Sequence, residues 1–394
     1  MTKKIDADIV VVGAGLVGLA AAIAFAKQGK SVVLVDASKP ETKLKKAWDE
    51  RVYALTPATE TWLKELDVWA GVDKSRVNDI NAMHIWDAEA ALTLADSDAN
   101  LPKLGVIIEN QNLQHALWQQ IKTVGVTVVT DAQCKSLHNM PHDIQLGLEL
   151  VLQGEITIAA KLIVAADGVN SWLRNQANIA VKRKSFNQTA IVANFIAEKN
   201  HGNIARQWFA SHDTLALLPL PEQYVSMVWS VSTEKANKLL KLSNEQLSEQ
   251  VQAESQGVLG DLKPVSKTLS FELNQQTATK LVAERMVLVG DAAHQIHPMA
   301  GQGVNLGFRD VMKLAELTTK CQGAKCQDMG DFNLLRQYER ARRADIVVMN
   351  NLTSGLDYLF AIENSFVKTA THWGLQQFNR QAGIKKLLIQ QAAV

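Results

Sequence analysis

The chain has 394 residues, 41 Lys and Arg against 40 Asp and Glu, and 47% apolar residues, enough for about two or three domains with real cores. A formal charge of +1 provides no basic field for a polyanion, so no nucleic-acid partner is expected. Three cysteines, Cys134, Cys321 and Cys326, build no disulfide framework in a chain this long, which favours a reducing compartment, the cytoplasm.

Residues Ile9 to Ala26 are uncharged and follow Lys3 and Lys4, the outline of a signal peptide or a membrane span. Gly13, Gly15 and Gly18 interrupt that stretch, and a second apolar run, Ser31 to Val35, follows one short polar turn later. Strand (Ile9 to Val12), glycine turn, helix (Leu16 to Lys27) and strand therefore read as a βαβ unit, which implies a parallel sheet with a right-handed crossover. Thr56 to Leu66 and Asn112 to Thr123 are predicted helices, the second with Leu113, Leu117 and Ile121 on one face; Val126 to Thr130 and Leu162 to Ala165 return to strand. From about Ser185 to Phe271 the runs Ala190 to Ala197, Leu215 to Pro219 and Tyr224 to Ser232 suggest antiparallel strands, followed by a polar helix near Asn244 to Ser255. Val287 to Val289 resumes a buried strand, Val304 to Cys321 is helical, and Leu334 to Leu359 and Ser365 to Ile389 are predicted helices. The fold class is α/β: a Rossmann-like domain over 1–76, 105–184 and 272–350, an inserted mixed antiparallel domain over 77–104 and 185–271, and C-terminal helices over 351–394.

Gly13-Ala14-Gly15-Leu16-Val17-Gly18 follows a strand and opens a helix, the setting of a dinucleotide fingerprint. Gly13 permits the tight turn, Gly15 lets a pyrophosphate approach the helix N-terminus, and Gly18 lets helix and strand close up. Asp36 ends the second strand, where a carboxylate can accept from ribose hydroxyls. Asp167-Gly168 follows another apolar strand; alone, it reads as an ordinary turn or as a cofactor loop. Gly290-Asp291 repeats the strand-end carboxylate, and Gly301-Gln302-Gly303-Val304-Asn305 then opens a second helix. A second bare helix N-terminus suits negative charge on a reduced flavin, which separates FAD from NAD. Asp291, His294 and His297 have a spacing that metal ligands can use, but the flanking strand and glycine loop already account for the segment, so no metal is expected.

In order and spacing, Gly13 to Gly18, Asp36, Arg51, Asp167-Gly168 and the Gly290 to Gly307 block resemble the flavin-dependent aromatic hydroxylases of the para-hydroxybenzoate hydroxylase type. Asp49 to Leu55, Ile108-Glu109-Asn110 and Gly290 to Gly307 are similar, within these, to the ubiquinone-biosynthesis hydroxylases. The resemblance spans nearly the whole chain. It implies that Gly13, Gly15, Leu16, Val17, Gly18 and Asp36 hold the ADP half of FAD, that Arg51 approaches the flavin or its phosphates, and that Asp167 and Gly168 serve a site shared by FAD and NADH or NADPH. It also implies that Gly290 and Asp291 bind the ribityl chain, and that Gly301, Gln302, Gly303, Val304 and Asn305 lie against the ring system, with Pro298 facing substrate. Pro298, Gly301, Gly303 and Asn305 are thus the expected catalytic surroundings. Gln111 stands where relatives commonly have arginine, which puts its cofactor contact in question.

The chemistry so implied is NAD(P)H- and O2-dependent hydroxylation of a phenol or quinol ring through a flavin C4a-hydroperoxide, which needs no nucleophilic side chain. The implied substrate is polyprenylated, and the similarity leans to the demethoxyubiquinol step. Leu217, Pro219 and Trp229 are candidates to line its pocket, with plain core packing as the other reading. Thr371 to Val394 has Arg380, Lys385 and Lys386 and no acid, so it can lie on an anionic membrane, on a partner of a quinone-synthesis complex, or on its own domain. A hydroxylase of another ring position or of a small soluble phenol, and a non-catalytic flavoprotein subunit, are the alternatives.

Overall fold

The computed structural model describes residues 3–40, 43–87, 90–150, 154–210, 213–296, 302–320 and 328–361, with five further positions between 383 and 390. His297, Pro298, Gly301, Cys321, Cys326 and nearly all of the C-terminal segment lie outside the described residues.

β1 (Lys3–Val12) leads through the glycine turn into α1 (Leu16–Lys27) and back into β2 (Val32–Val35). β3 (Val52–Leu55), α2 (Pro57–Glu65), β4 (Val77–Ile80), β5 (Ala82–Asp87), β6 (Ala90–Ala95) and the single turn α3 (Asp96–Ala99) follow. After β7 (Gly105–Glu109) and α4 (Asn110–Thr123) come β8 (Thr127–Val129), β9 (Ala132–Asn139), β10 (Ile144–Leu150) and β11 (Gly154–Ala165). Short α5 (Trp172–Gln176) precedes β12 (Val181–Ala197), β13 (Ile204–Ala210), β14 (Asp213–Pro219) and β15 (Tyr224–Ser232), then α6 (Thr233–Leu239) and α7 (Asn244–Glu254). The described chain continues with β16 (Leu262–Pro264), β17 (Leu269–Ala278), β18 (Val282–Ala283), β19 (Met286–Leu288), β20 (His294–Gln295), α8 (Gly303–Lys320) and α9 (Phe332–Ala361).

The first sheet runs β18-β19-β11-β1-β2-β8, and β1 is parallel to both β2 and β11. Such a central strand is covered on both faces and must be apolar throughout, which is why Ile9, Val10 and Val11 are wholly buried. α1 is apolar all round, so it has no solvent side to present; Leu19, Ala20, Ala21, Ala22, Ile23 and Phe25 are fully inaccessible. It packs against α4 and α8. The uncharged stretch is therefore core, and no helix among the described residues is long and apolar enough to cross a membrane. α2 starts where Thr56 accepts the Thr59 N–H and Pro57 fills the first helical position.

The second sheet runs β20-β17-β12-β15-β14-β13-β5-β6, antiparallel except for β5 beside β13. β4 instead joins β3 and β7 in a three-stranded sheet, so residues 77–80 pair away from the large sheet. The boundaries expected at 185 and 271 fall inside β12 and β17. Polar Lys182-Arg183-Lys184 masks the start of β12, and the change of texture at Ser185 coincides with a bulge where Asn187 has φ +54°.

One face of the large sheet carries Ile191, Ala193, Leu215, Leu217, Met227 and Trp229 under α6 and α7. Its opposite face carries Leu218 and Tyr224 against Val52 and Ala54 of the three-stranded sheet.

Candidate active site

The ends of β1, β2, β11 and β19 lie side by side, with Val12 between Val35 and Ala165 and Ala165 beside Leu288, so the turns that follow them are neighbours. A Cβ at Gly13, where φ is +102°, would stand 2.2 Å from the Ala166 carbonyl oxygen, and one at Gly18 would stand 1.9 Å from that of Gly13. These two glycines let turn, helix and β11 touch. A Cβ at Gly15 would meet nothing within 4 Å. Gly15 also caps α1 with no side-chain hydrogen bond, and the first turn holds no acid, so the helix opens with bare N–H groups at an unobstructed position. Asp36 stands beside this turn: its Oδ2 accepts the Ala14 N–H at 2.6 Å, while Oδ1 accepts from Ser38 N and Oγ.

The second glycine block meets the first through one side chain. Val17 packs on Gly290, whose φ is +57°, and a Cβ at Gly307 would come within 2.6 Å of Val17 Cγ2. The start of α8 is thereby drawn against the start of α1. Asp291 follows Gly290 and reaches solvent, yet the surrounding protein raises its carboxyl pKa by burial, offset only in part by His294 and Arg51. Asp291 is thus open to solvent yet closely surrounded by protein. Arg51 is exposed, close enough to both the Tyr53 hydroxyl and Asp291 for its charge to act on them. Asp167 accepts the Leu173 N–H with Oδ2 at 3.1 Å, whereas its buried Oδ1 has no partner. Such an orphan acceptor calls for a donor from outside the chain.

Bare helix N–H groups, a strand-end carboxylate for ribose, an orphan acceptor and an open glycine position together fit a dinucleotide cofactor.

Asn305 is wholly buried and spent on the protein: Nδ2 donates to the Ala54 carbonyl at 2.8 Å and Oδ1 accepts the Thr56 N–H at 3.2 Å. It ties the first turn of α8 to β3 and α2, so it positions rather than reacts. Gln302 accepts from Asn305 and from the Leu306 N–H, and Val304 is buried. Gly168, with φ +80°, and Gly303 both leave open space where a Cβ would stand. Gln111 gives its amide to the Ala47 carbonyl and to Glu109. Glu109 is fully buried, and the Arg76 guanidinium clasps its carboxylate at 2.6 and 2.7 Å. In this chain Gln111 therefore braces the 45–49 loop.

The pocket-lining expectation for Leu217, Pro219 and Trp229 meets the sheet's parity. All three alternate onto the face covered by α6 and α7, where Leu217 and Trp229 are 1% exposed. Adjacent strand positions point to opposite faces, so Ala216, Leu218 and Val228 take the side opposite α6 and α7. Trp229→Ala is expected to cost about 3–5 kcal/mol of stability, as buried tryptophan truncations do, read by denaturant unfolding; full stability with an altered KM would put the indole in a pocket.

Arg174, Asp310 and Arg342 escaped the sequence reading. Arg174, 1% exposed, donates to the Ala292 and Val169 carbonyls and so clamps the 167–171 loop to the Gly290–Ala292 turn. Asp310, at 0%, accepts from Gly290 N, His294 Nε2 at 2.6 Å and Arg342 Nε at 2.7 Å. His294 is thus committed to Asp310. The only sequence signals were an arginine one helical turn into α5, and an acid and an arginine on α8 and α9.

The FAD binding domain family matches residues 6–350. The chain is 33% identical to the ubiquinone hydroxylase UbiL of Rhodospirillum rubrum, over 98% of this chain and 89% of that protein. It belongs to the FAD-dependent hydroxylases of ubiquinone biosynthesis. Similarity to the 3-demethoxyubiquinol 3-hydroxylase of Escherichia coli is 33% identity over 90% of this chain and 89% of that one. Among solved structures, p-nitrophenol 4-monooxygenase of Pseudomonas putida shares the fold, with a TM-score of 0.80, 15% identity, and coverage of 99% and 98% of the two chains. The chain is accordingly a flavoprotein monooxygenase of this family.

Proposed function

We propose that this hydroxylase acts on the ring of a polyprenylated ubiquinone precursor, at the demethoxyubiquinol step, with NAD(P)H and O2 as co-substrates. The observation that carries the flavin part of the reading is the contact of Val17 with Gly290 and Gly307, which sets the starts of α1 and α8 side by side; the quinol part rests on the similarity to the ubiquinone hydroxylases. FAD, when bound, supplies the redox and oxygen chemistry. The chain's own residues bind and shield. Gly15 and the first turn of α1 receive the pyrophosphate, Asp36 the ribose, and Asp291 the ribityl hydroxyls, with Arg51 beside them. Asp167 Oδ1 accepts a hydrogen bond from cofactor or co-substrate. The N-terminus of α8 favours negative charge next to it, and Asn305 fixes that terminus on β3. Water is kept from the ring by the apolar face of the large sheet, on which Leu218 and Tyr224 pack toward β3.

The similarity to the 3-demethoxyubiquinol 3-hydroxylase supports the choice of step. Mass spectrometry of lipid quinones from a host lacking the gene is expected to find a prenylated precursor short of one ring oxygen, and the intermediate's structure identifies the position. An unchanged quinone pool would turn the assignment toward small soluble phenols.

A further inference from the structure

We propose that the edge of the large sheet formed by β16 and β17 is where this protein meets an anionic lipid surface, and that the prenyl tail of its substrate enters there. The lipid half stands on the edge itself, whereas the tail half rests on the polyprenylated substrate proposed above.

β16 and β17 lie one after the other along the same side of β12. Among the described residues, the outer side of β17 is covered only at Gln276 and Thr277, which pair with β20. Beyond that cover, Val265, Leu269 and Phe271 are 40%, 48% and 41% exposed. Three large apolar side chains within seven residues of an open edge invite association. The cations around them say with what. Lys263 and Lys267 stand among the apolar residues, exposed and without an ion pair among the described residues, with exposed Asp261 and Glu272 also nearby; Lys182, Arg183 and Lys184, exposed too, lie farther along the sheet on β12, opposite Gln275 to Thr277. By register, Leu269, Phe271, Lys182 and Lys184 share one face, on which neither strand carries an acid; Glu272 takes the opposite face. Apolar side chains rimmed by lysine match acyl chains beneath anionic headgroups. At the other candidate surface, Lys385 already faces Asp98 at 3.4 Å and Ile389 is 4% exposed, so that part of the C-terminal segment leans on its own chain.

The edge also continues inward. Cross-strand rows run from Leu269 through Val192 and Val228 to Ala216, and from Phe271 through Ala190 and Ser230 to Thr214. These are small or slender side chains on the face opposite α6 and α7; Ala190, Val192, Ser230 and Thr214 are covered in the structure, so a tail would displace what lies over them. Two residues along β12 from Val192, Asn194 donates to the Asp49 carbonyl at 3.0 Å, and the Asp49 carboxylate accepts the Arg51 N–H. A tail laid along these rows would bring its ring to the Asp49–Arg51 loop.

The test is flotation of the full-length, FAD-loaded protein with phosphatidylethanolamine–phosphatidylglycerol vesicles. Wild type is expected to float with them, less so at high salt. Leu269→Glu with Phe271→Glu should cut the bound fraction about ten-fold, the scale of losing two buried apolar anchors, and Lys263→Glu with Lys267→Glu should flatten the salt dependence. Should the glutamate pair lose FAD, Leu269→Ser with Phe271→Ser is read in its place. Wild type that stays off vesicles, or an FAD-loaded variant that floats like wild type, overturns the proposal. So does a variant that loses only self-association in sedimentation, which would make the edge a contact between copies. Hydroxylation of vesicle-borne long-tailed quinol should fall more in the variant than that of a short-tailed, water-soluble quinol; equal falls overturn the tail half. If flotation behaves as expected and wild type hydroxylates neither quinol, the ubiquinone reading fails while the lipid edge stands.

Discussion

Gly15→Ala is expected to yield a protein of wild-type stability that binds FAD about 100-fold more weakly, and Gly18→Ala a protein destabilised by about 1–3 kcal/mol or more. The two glycines are three residues apart in one turn, and the space around each differs. A methyl at position 15 meets no protein atom within 4 Å, so the apo fold should be indifferent to it. The same methyl occupies the space through which a pyrophosphate approaches the α1 N–H groups, and losing that approach is worth about 2–3 kcal/mol, or two decades in Kd. At position 18 a methyl lands 1.9 Å from the Gly13 carbonyl oxygen and 3.1 Å from Ala166 Cβ. Backbone lies on one side and a strand end on the other, so neither can yield as a flexible side chain would; overpacking of this kind costs about 1–3 kcal/mol or more. Flavin fluorescence titration and thermal unfolding separate the two effects. Unaltered FAD affinity in Gly15→Ala would remove the pyrophosphate from the start of α1.

Legibility in the sequence followed the range of the interactions. α1 occupies Leu16 to Lys27 as expected, because its all-apolar composition and its flanking glycines are local signals. The link between the two glycine blocks could be named as a resemblance, but its physical agent, Val17 packed on Gly290 and Gly307, is a contact across 290 residues of chain that no local pattern encodes. Arg174, Glu109 with Arg76, and Asp310 with Arg342 were missed for the same reason: a buried ion is satisfied by a partner far along the chain. For Leu217 and Trp229 the sequence leaves pocket lining and core packing both open, and the sheet sets them under α6 and α7. β14 is apolar on both faces, which blurs the alternation that gives a strand's side, whereas in β15 Ser226 and Ser230 set between Val225, Met227, Trp229 and Val231 preserve it.

Asp310→Asn is expected to remove about 3–5 kcal/mol of stability, the scale of breaking a buried ion pair by deleting one partner, and to weaken FAD binding along with it. Burial alone would raise the Asp310 pKa; His294 and Arg342 reverse this and hold it below the usual carboxylate range. A carboxyl whose pKa is lower in the folded than in the unfolded protein stabilises the fold at pH values above the unfolded value of about 3.9, and that contribution is lost as pH falls through the folded value. Wild-type stability should therefore decline in acid below about pH 4, with a component that Asp310→Asn lacks. The link to the cofactor is geometric. Oδ2 of Asp310 receives the Gly290 N–H at 2.9 Å, and the next residue, Asp291, is the solvent-accessible acid. An amide oxygen in the place of Oδ2 can still accept from Gly290 and His294 but turns the NH2 against the Arg342 donor, and the flipped amide keeps Arg342 while facing the Gly290 N–H with a donor, so at least one buried group loses its partner. Denaturant unfolding at pH 7 and pH 4, with FAD titration of each variant at pH 7, checks the chain of cause. If Asp310→Asn loses stability but keeps wild-type FAD affinity, the network serves only to hold α9 on α8, and Asp291 is set by its own turn.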